Sequence, residues 1–213
     1  IGKVLDYLDT SGLAKNTVVI YTSDQGFFLG EHGLYDKRLI HEPSLRIPLI
    51  VRWPGVVDAG TVNFDLTLNL DFPETILDIA GHPIPDDMQG RSLTPLLRSE
   101  FVQDWRQSFY YRYYHSHFDT PSHYGLRTRN EKLAYYDNRD EWELYNLNND
   151  PTEVNNIASN PEWSDKMAVL KEKLFALQKS VGDDPKDVGD NPHTGNPTLD
   201  KLETERAAMR ARR

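Results

Sequence analysis

The sequence predicts an α/β protein that carries a smaller α+β subdomain, and three observations lead to this fold class. An amphipathic opening stretch, IGKVLDYLDTSGL, precedes a β-branched run at residues 17–22, and a helix followed by a buried strand is typical of α/β folds. After about residue 100 the chain consists of short aromatic-rich segments separated by polar turns, which predict an antiparallel sheet. A later apolar pattern at helical spacing predicts one long helix on that sheet.

Composition sets limits on function. The 213 residues are 38% hydrophobic and carry a formal net charge of -9. A general nucleic-acid binder needs a basic surface to neutralise phosphates, so we exclude that class. The chain has no cysteine, which excludes a disulfide framework, a thiolate metal site and a cysteine nucleophile within it. No apolar run is long enough to predict a membrane span.

The first hundred residues are predicted to contribute strands and helices to one α/β domain. The opening helix ends near Gly12, and the run at residues 17–22 predicts a strand buried on both faces, as in a parallel sheet. A second apolar run covers residues 47–53, and its Pro48 fits best at the start of a strand or at a sheet edge. The stretch DFPETILDIAG predicts a short helix, with Pro73 in the first turn and Gly81 after the last.

Residues 101–182 are predicted to form the α+β subdomain. The segments QSFYYRYYH, HYGLRTRNEKLAYY and EWELYNLNND predict the antiparallel meander. A helix is predicted to start near Pro161, with Met167, Leu170, Leu174 and Leu177 on its apolar face. Residues 183–213 open with DDPKDVGDNPHTGNP and are predicted to be a polar tail.

The residues that follow the first strand are candidates for a metal site. Ligand sites in open α/β sheets lie beyond the carboxyl ends of the strands, where Asp24 and Gln25 stand. A carboxylate and an amide oxygen suit Ca²⁺, with Mg²⁺ as an alternative. Ca²⁺ takes roughly six to eight oxygen ligands, so the others must come from elsewhere. The structural alternative is that Asp24 only caps the turn.

Two cations follow in the same loop. Lys37 and Arg38 stand where one of them could reach back toward the metal-ligand pair. A metal together with a lysine is a recurrent way to hold an oxyanion during displacement at phosphorus or sulfur.

The stretch YTSDQGFFLGEHGLYDKRLIHEPSLRIPLIVRWPG resembles the signature of the type I sulfatases of the alkaline phosphatase superfamily. The resemblance continues through NLDFPETILDIAG, DDMQGRSLTPLL and ELYNLNNDPTEVNNIA, and it covers residues 1 to about 180 in the family's order. It implies a mixed sheet with flanking helices and hydrolysis of sulfate esters or sulfamates. It also implies a formylglycine nucleophile, made from a Cys/Ser-x-Pro-x-Arg motif, beside a bound Ca²⁺.

By this resemblance, Asp24 and Gln25 are the late pair of metal ligands and Lys37 contacts the sulfate. Arg38 and His123 become candidate substrate-binding residues. The chain departs from the pattern because it has no cysteine and no Ser-x-Pro-x-Arg, and the family's first pair of aspartate ligands belongs to an earlier strand. The resemblance therefore implies the C-terminal part of a sulfatase, expected to be inactive alone.

The expected substrate is a sulfated carbohydrate or an aryl sulfate, met in the periplasm or outside the cell. Two other functions stay open: a phosphodiester or phosphonate monoester hydrolase of the same superfamily, and a non-catalytic binding fragment. The sequence sets no oligomeric state. His115, His117 and His123 also allow a zinc site, although a substrate-facing loop is the stronger interpretation.

Several charged residues near the loop have expected structural roles. Asp36 is expected to hold Arg38. Arg46 and Arg52 are expected to pair with carboxylates, while His32, His41 and Glu42 are expected to make structural hydrogen bonds rather than substrate contacts.

Overall fold

The computed structural model describes residues 1–114, 120–137 and 139–184. The first hundred residues form short elements in the following order: helix α1 (Gly2–Thr10), strand β1 (Val19–Thr22), strands β2 (Phe28–Leu29) and β3 (Tyr35–Asp36), helix α2 (Glu42–Leu45), strand β4 (Leu49–Arg52) and helices α3 (Asp71–Ile79) and α4 (Thr94–Leu97). The rest forms strands β5 (Ser108–Tyr113), β6 (His123–Thr128), β7 (Glu131–Tyr136) and β8 (Glu141–Asn146), then helix α5 (Ser164–Ser180).

The pairing of the first strands corrects the predicted parallel sheet. Strand β1 pairs with β4 in antiparallel register, with Val19 opposite Arg52 and Thr22 opposite Leu49. The side chains of Tyr21 and Ile50 are 43% and 63% exposed, so the strand is not buried on both faces within the described residues. A β-branched run predicts extended backbone, but it does not specify the direction of the partner strand.

The antiparallel meander is confirmed. Strands β5 to β8 form one sheet in chain order, and every neighbouring pair is antiparallel. Helix α5 covers one face of this sheet, and a 3₁₀ turn at Pro161–Trp163 leads into it. The shared core consists of Tyr124, Leu126, Leu133, Leu144, Met167, Leu170 and Leu174.

The opposite face of the meander is covered by the first half of the chain. Ile40 is fully buried there and packs against Ala134 and Tyr136 of β7. Gly125 of β6 makes room for this contact, since a Cβ at that position would stand 2.5 Å from Cδ1 of Ile40. The segment between β3 and α2 is therefore fixed directly on the sheet.

A third core cluster lies around α3 and α4, where Leu93, Leu96 and Trp105 are buried. Asp71 at the start of α3 is fully buried, and its carboxylate accepts from both terminal nitrogens of Arg106. In the described part of the chain no helix has the length and apolarity to cross a membrane.

Candidate functional site

Asp24 lies just beyond the carboxyl end of β1, with an exposed side chain. Its backbone carbonyl accepts a hydrogen bond from Nδ2 of Asn69 at 2.8 Å. Oγ of Ser23 donates to the backbone carbonyl of Gln25 at 2.9 Å. These bonds fix the backbone of the turn and leave the Asp24 carboxylate accessible.

The side chain of Gln25 is oriented by Ser44. Its Nε2 donates to the carbonyl oxygen of Ser44 at 2.7 Å and to Oγ of Ser44 at 3.2 Å. Because the amide nitrogen is occupied by these acceptors, Oε1 must point the other way. The amide oxygen is therefore directed away from Ser44, and Gln25 and Asp24 line the same groove; oxygen atoms of this kind suit a hard cation.

Gly26 lets the turn lie directly against α2. Its N–H donates to the Ser44 carbonyl at 2.9 Å. A Cβ at this position would overlap the carbonyl oxygen of Pro43 and stand 2.8 Å from that of Ser44. The close approach of two backbones therefore requires glycine here.

Ser44 also connects this turn to the loop that carries the two cations. Its buried Oγ accepts a hydrogen bond from the backbone N–H of Arg38 at 2.9 Å. One residue of α2 thus holds Gln25, Gly26 and Arg38.

Lys37 lies between two residues with left-handed backbone. The φ angles of Asp36 and Arg38 are 90° and 95°, a conformation that is costly for residues other than glycine and that clusters at functional sites. Nη1 of Arg38 contacts Oδ2 of Asp36 at 2.5 Å, and the hydroxyl of Tyr111 donates to the Arg38 carbonyl at 2.5 Å. These contacts set the direction of Lys37, whose side chain has no hydrogen bond or ion pair with the described residues.

Arg38 and His123 occupy different surroundings. The guanidinium of Arg38 is 20% exposed and held by Asp36, as the sequence predicted for Asp36. His123 is fully buried, with Nδ1 2.8 Å from the carbonyl oxygen of Pro121, and its ring lies 5.7 Å from that of Tyr111. Burial lowers the pKa of His123 to about 4. In this structure it packs within the sheet.

A groove of about 1490 Å³ contains the predicted metal ligands. Asp24 and Gln25 line it together with His32, Arg46 and Arg129. Within the described chain, Lys37, Arg38 and His123 are not among the lining residues. The structure therefore brings the two predicted metal ligands together and places the other three predicted site residues outside this groove.

Arg46 is a candidate functional residue that the sequence did not indicate. It was predicted to pair with a carboxylate, but no carboxylate of residues 1–114, 120–137 and 139–184 lies within 4.0 Å of its guanidinium. The corresponding prediction for Arg52 is confirmed, because Nη2 lies 2.5 Å from Oδ1 of Asp9. Spacing alone gave no signal that separates these two arginines.

The neighbouring polar residues of α2 have structural contacts. Burial and the Lys132 charge lower the pKa of His41 to about 3, and its Nε2 lies 3.7 Å from Oε2 of Glu143. Burial opposes ionisation of Glu42, yet Lys132 and Arg127 hold its pKa at about 2. Glu42 accepts hydrogen bonds from Arg127, as expected, whereas the buried Nδ1 of His41 has no hydrogen-bond partner among the described residues, so that prediction is wrong for His41.

The donor set fits part of a calcium site. Asp24 and Gln25 offer two oxygens in one turn, and no group of three or more His, Asp or Glu in the described residues is placed to hold a metal. A complete oxygen shell needs further ligands. For the zinc alternative, His115 and His117 lie outside the described residues.

Comparisons with known proteins identify the family. A family model described as N-sulphoglucosamine sulphohydrolase, C-terminal, matches residues 30–180. An N-acetylglucosamine-6-O-sulfatase of Bacteroides thetaiotaomicron is 44% identical over 192 residues, which are 88% of this chain and 34% of that protein. An arylsulfatase of Clostridium perfringens is 32% identical over 82% of this chain and 36% of its own length.

Solved structures of related proteins superimpose on this chain. A structure in complex with its substrate D-glucosamine-2-N,6-O-disulfate superimposes with a TM-score of 0.82 at 42% identity, covering 87% of this chain and 39% of that one. The phosphonate monoester hydrolase of Agrobacterium radiobacter superimposes with a TM-score of 0.74 at 25% identity, over 84% and 38% of the two chains.

The chain belongs to the sulfatases, and within them it corresponds to the C-terminal region. It spans about a third of the length of the curated relatives it matches.

Proposed function

We propose that the whole protein containing these residues is a Ca²⁺-dependent sulfatase that hydrolyses sulfate esters of glucosamine-containing carbohydrates. The observation that carries this proposal is the orientation of Gln25. Its Nε2 bonds to Ser44 and so directs the amide oxygen away from Ser44, and Gln25 lines the same groove as Asp24. The most similar relatives named above act on sulfated sugars by their descriptions, which favours the 6-O-sulfate over other positions.

Each residue has a distinct role in this proposal. Asp24 and Gln25 hold Ca²⁺ as two of its oxygen ligands, with Mg²⁺ as the alternative cation. The bound cation supplies charge that stabilises the sulfate oxygens as the ester is cleaved. Lys37 donates to a sulfate oxygen from the loop next to the groove, which Ser44 connects to the Gln25 turn. Arg38 holds the loop through Asp36 and adds positive charge beside the sulfate.

The nucleophile comes from residues outside this chain. The 213 residues contain no cysteine and no Ser-x-Pro-x-Arg from which a formylglycine could be made. We therefore expect the chain alone to leave sulfate esters intact. We also expect the whole protein in the periplasm or outside the cell, where sulfated polysaccharides occur, and cell fractionation tests that location.

Kinetics of the whole protein test the roles of these residues. Lys37→Ala should lower kcat/KM for glucosamine-6-O-sulfate by about 10²- to 10³-fold, the loss typical of one oxyanion donor. Lys3→Ala, an exposed lysine of α1, is the matched control and should leave the rate unchanged. A chelator should abolish activity, and added Ca²⁺ should restore it. Full activity of Lys37→Ala would remove this lysine from the mechanism.

The superposition with a phosphonate monoester hydrolase supports a second candidate function. A panel of sulfate esters, phosphodiesters and phosphonate monoesters separates the two. A higher kcat/KM for a phosphonate monoester than for every sulfate ester would favour the second function.

A further inference from the structure

A buried ion network joins α2 to β6 and β7 of the C-terminal sheet and to the loop after β8. Nζ of Lys132 lies 2.9 Å from Oε1 of Glu42 and 2.5 Å from Oε1 of Glu153. Nε of Arg127 lies 3.0 Å from Oε1 of Glu42. Two acids and two bases therefore balance in charge. Lys132 and Glu153 have no exposed side-chain surface.

The network also holds the backbone of α2. Oε2 of Glu153 accepts the N–H of Glu42 at 2.7 Å. Glu153 itself has a φ of 57°, left-handed for a residue with a side chain. A costly backbone conformation of this kind persists only where the surroundings enforce it, and here Lys132 and the Glu42 N–H contact the Glu153 carboxylate while the Asp150 carbonyl accepts the Glu153 N–H.

The position of α2 matters because Ser44 lies two residues after Glu42 in the same helix. The Ser44 carbonyl accepts from Gln25 Nε2 and from the Gly26 N–H, and its Oγ accepts from the Arg38 N–H. A shift of α2 therefore moves the acceptors that orient the predicted metal ligand and the lysine loop together.

Fixing a helix does not by itself require charged residues. A pair of apolar side chains could fill the same volume without the cost of removing two charges from water. What the ions add is attraction between opposite charges that joins β6, β7 and the Glu153 loop to one side of α2.

We propose that Lys132 and Glu42 are positioning residues for the active site: through Ser44, their buried ion pair sets the direction of the Gln25 amide oxygen and of the Lys37 loop. Lys132 is fully buried, whereas Glu42 also lines the groove, and both act in this proposal through the position of α2. The inference rests on the proposed function for its catalytic consequence, while its structural content concerns only the order of the loop.

Hydrogen exchange of the whole protein tests the structural part. In Lys132→Met, the amide protons of Gly26 and Arg38, which both bond to Ser44, should exchange at least tenfold faster than in the wild type. The amides of β6 and β7 that pair within the sheet should exchange at unchanged rates. Lys166→Met is the matched control. Lys166 belongs to α5, on the other face of the sheet, and its Nζ lies 2.7 Å from Oε1 of Glu131. This control should leave the exchange rates of the Gly26 and Arg38 amide protons unchanged.

Calcium titration and kinetics test the functional part. The Kd for Ca²⁺ by calorimetry should rise about tenfold in Lys132→Met, and saturating Ca²⁺ should recover part of the lost kcat. A variant that only lowers stability would change the melting temperature and leave the Kd unchanged. If Lys132→Met does not fold, Glu42→Gln removes the same charge contact with less loss of packing and should show the same faster exchange and higher Kd.

The outcomes separate the two proposals. Unchanged exchange at Gly26 and Arg38, with unchanged Kd, in a folded Lys132→Met or Glu42→Gln would overturn the positioning role even if the enzyme is a Ca²⁺-dependent sulfatase. Faster exchange in a protein that neither binds Ca²⁺ nor cleaves sulfate esters would support the positioning of the loop and overturn the proposed function.

Discussion

Arg38 and Asp36 form an ion pair across Lys37, with Nη1 2.5 Å from Oδ2, and both residues have left-handed backbone. The side chains of the neighbours thus bond to each other, while the side chain between them makes no ion pair with the described residues. The pair holds a conformation that would otherwise be unfavourable.

Asp36→Asn should release this loop. Without the carboxylate charge, the ion pair with Arg38 is lost and the backbone can relax away from the left-handed region. We expect kcat/KM of the whole protein for a sulfate ester to fall about 10- to 100-fold, the cost of misplacing a catalytic group by about 1 Å. Asp9→Asn breaks the exposed Arg52 pair and should leave kcat/KM unchanged. Equal rates for both variants would contradict a role of the ion pair in catalysis.

Gly26→Ala should disturb the turn that carries the predicted metal ligands. The added methyl group would overlap the Pro43 carbonyl, and overpacking of this kind costs about 1–3 kcal/mol. Urea unfolding of the chain measures the loss, and Ca²⁺ titration of the whole protein should show weaker binding. Gly2→Ala meets nothing within 4 Å of its Cβ and serves as the control, so a similar loss in both would argue against the close contact.

Acid should destabilise the chain through two buried histidines. Burial lowers the pKa of His41 to about 3 and that of His123 to about 4, from an ordinary value of 6.5. Between pH 6.5 and 4 the unfolded chain binds protons that the folded chain excludes, so stability falls as pH falls through this window. Well above pH 6.5 both histidines are neutral in both states, and the effect vanishes.

His123→Gln should reduce this pH dependence. Each such histidine changes the free energy of unfolding by about 1.4 kcal/mol per pH unit near pH 5. Urea unfolding at pH 5.0 and 7.5 should therefore show a smaller difference in the variant than in the wild type. His82→Gln, at an exposed position, should keep the wild-type difference. An unchanged difference in His123→Gln would mean that this histidine is not excluded from protonation.

Leu174 tests the packing of α5 on the sheet. Its side chain is fully buried in the shared core, and Leu174→Ala should lower the free energy of unfolding by about 2–5 kcal/mol. Val169 on the same helix is 59% exposed, and Val169→Ala should change it by less than about 0.5 kcal/mol. Chemical unfolding followed by circular dichroism measures both.

The sequence predicted those elements whose structure depends on residues within a single short segment. The short helix at Asp71–Ile79, the meander and the long helix follow from spacing and turn residues within one segment. The antiparallel pairing of β1 with β4 was not predictable in this way, because a β-branched run does not encode its partner's direction.

Some features of the candidate site depend on neighbouring residues, and others depend on residues far away in the sequence. The proximity of Asp24 and Gln25 follows from adjacency, but the orientation of Gln25 depends on Ser44, 19 residues away. The partners of Lys132 are still more distant, and the alternating strand EKLAYY gave the only local signal, a lysine among apolar neighbours. His123 looked available in the sequence and is buried among the rings of Tyr111, Tyr113 and Tyr136.

The hydrogen bond between Glu42 and Glu153 spans 111 residues. The order of synthesis therefore determines when this contact can form. At ribosomal rates of about 5–20 residues per second, the acid that holds α2 emerges on the order of ten seconds after the helix itself. Until Glu153 has been synthesised, this contact cannot hold α2, and Ser44 is not held in position against the loop that carries Lys37 and Arg38. The nascent polypeptide thus acquires the Glu42–Glu153 contact only after the fourth strand of its last sheet and the following loop have left the ribosome.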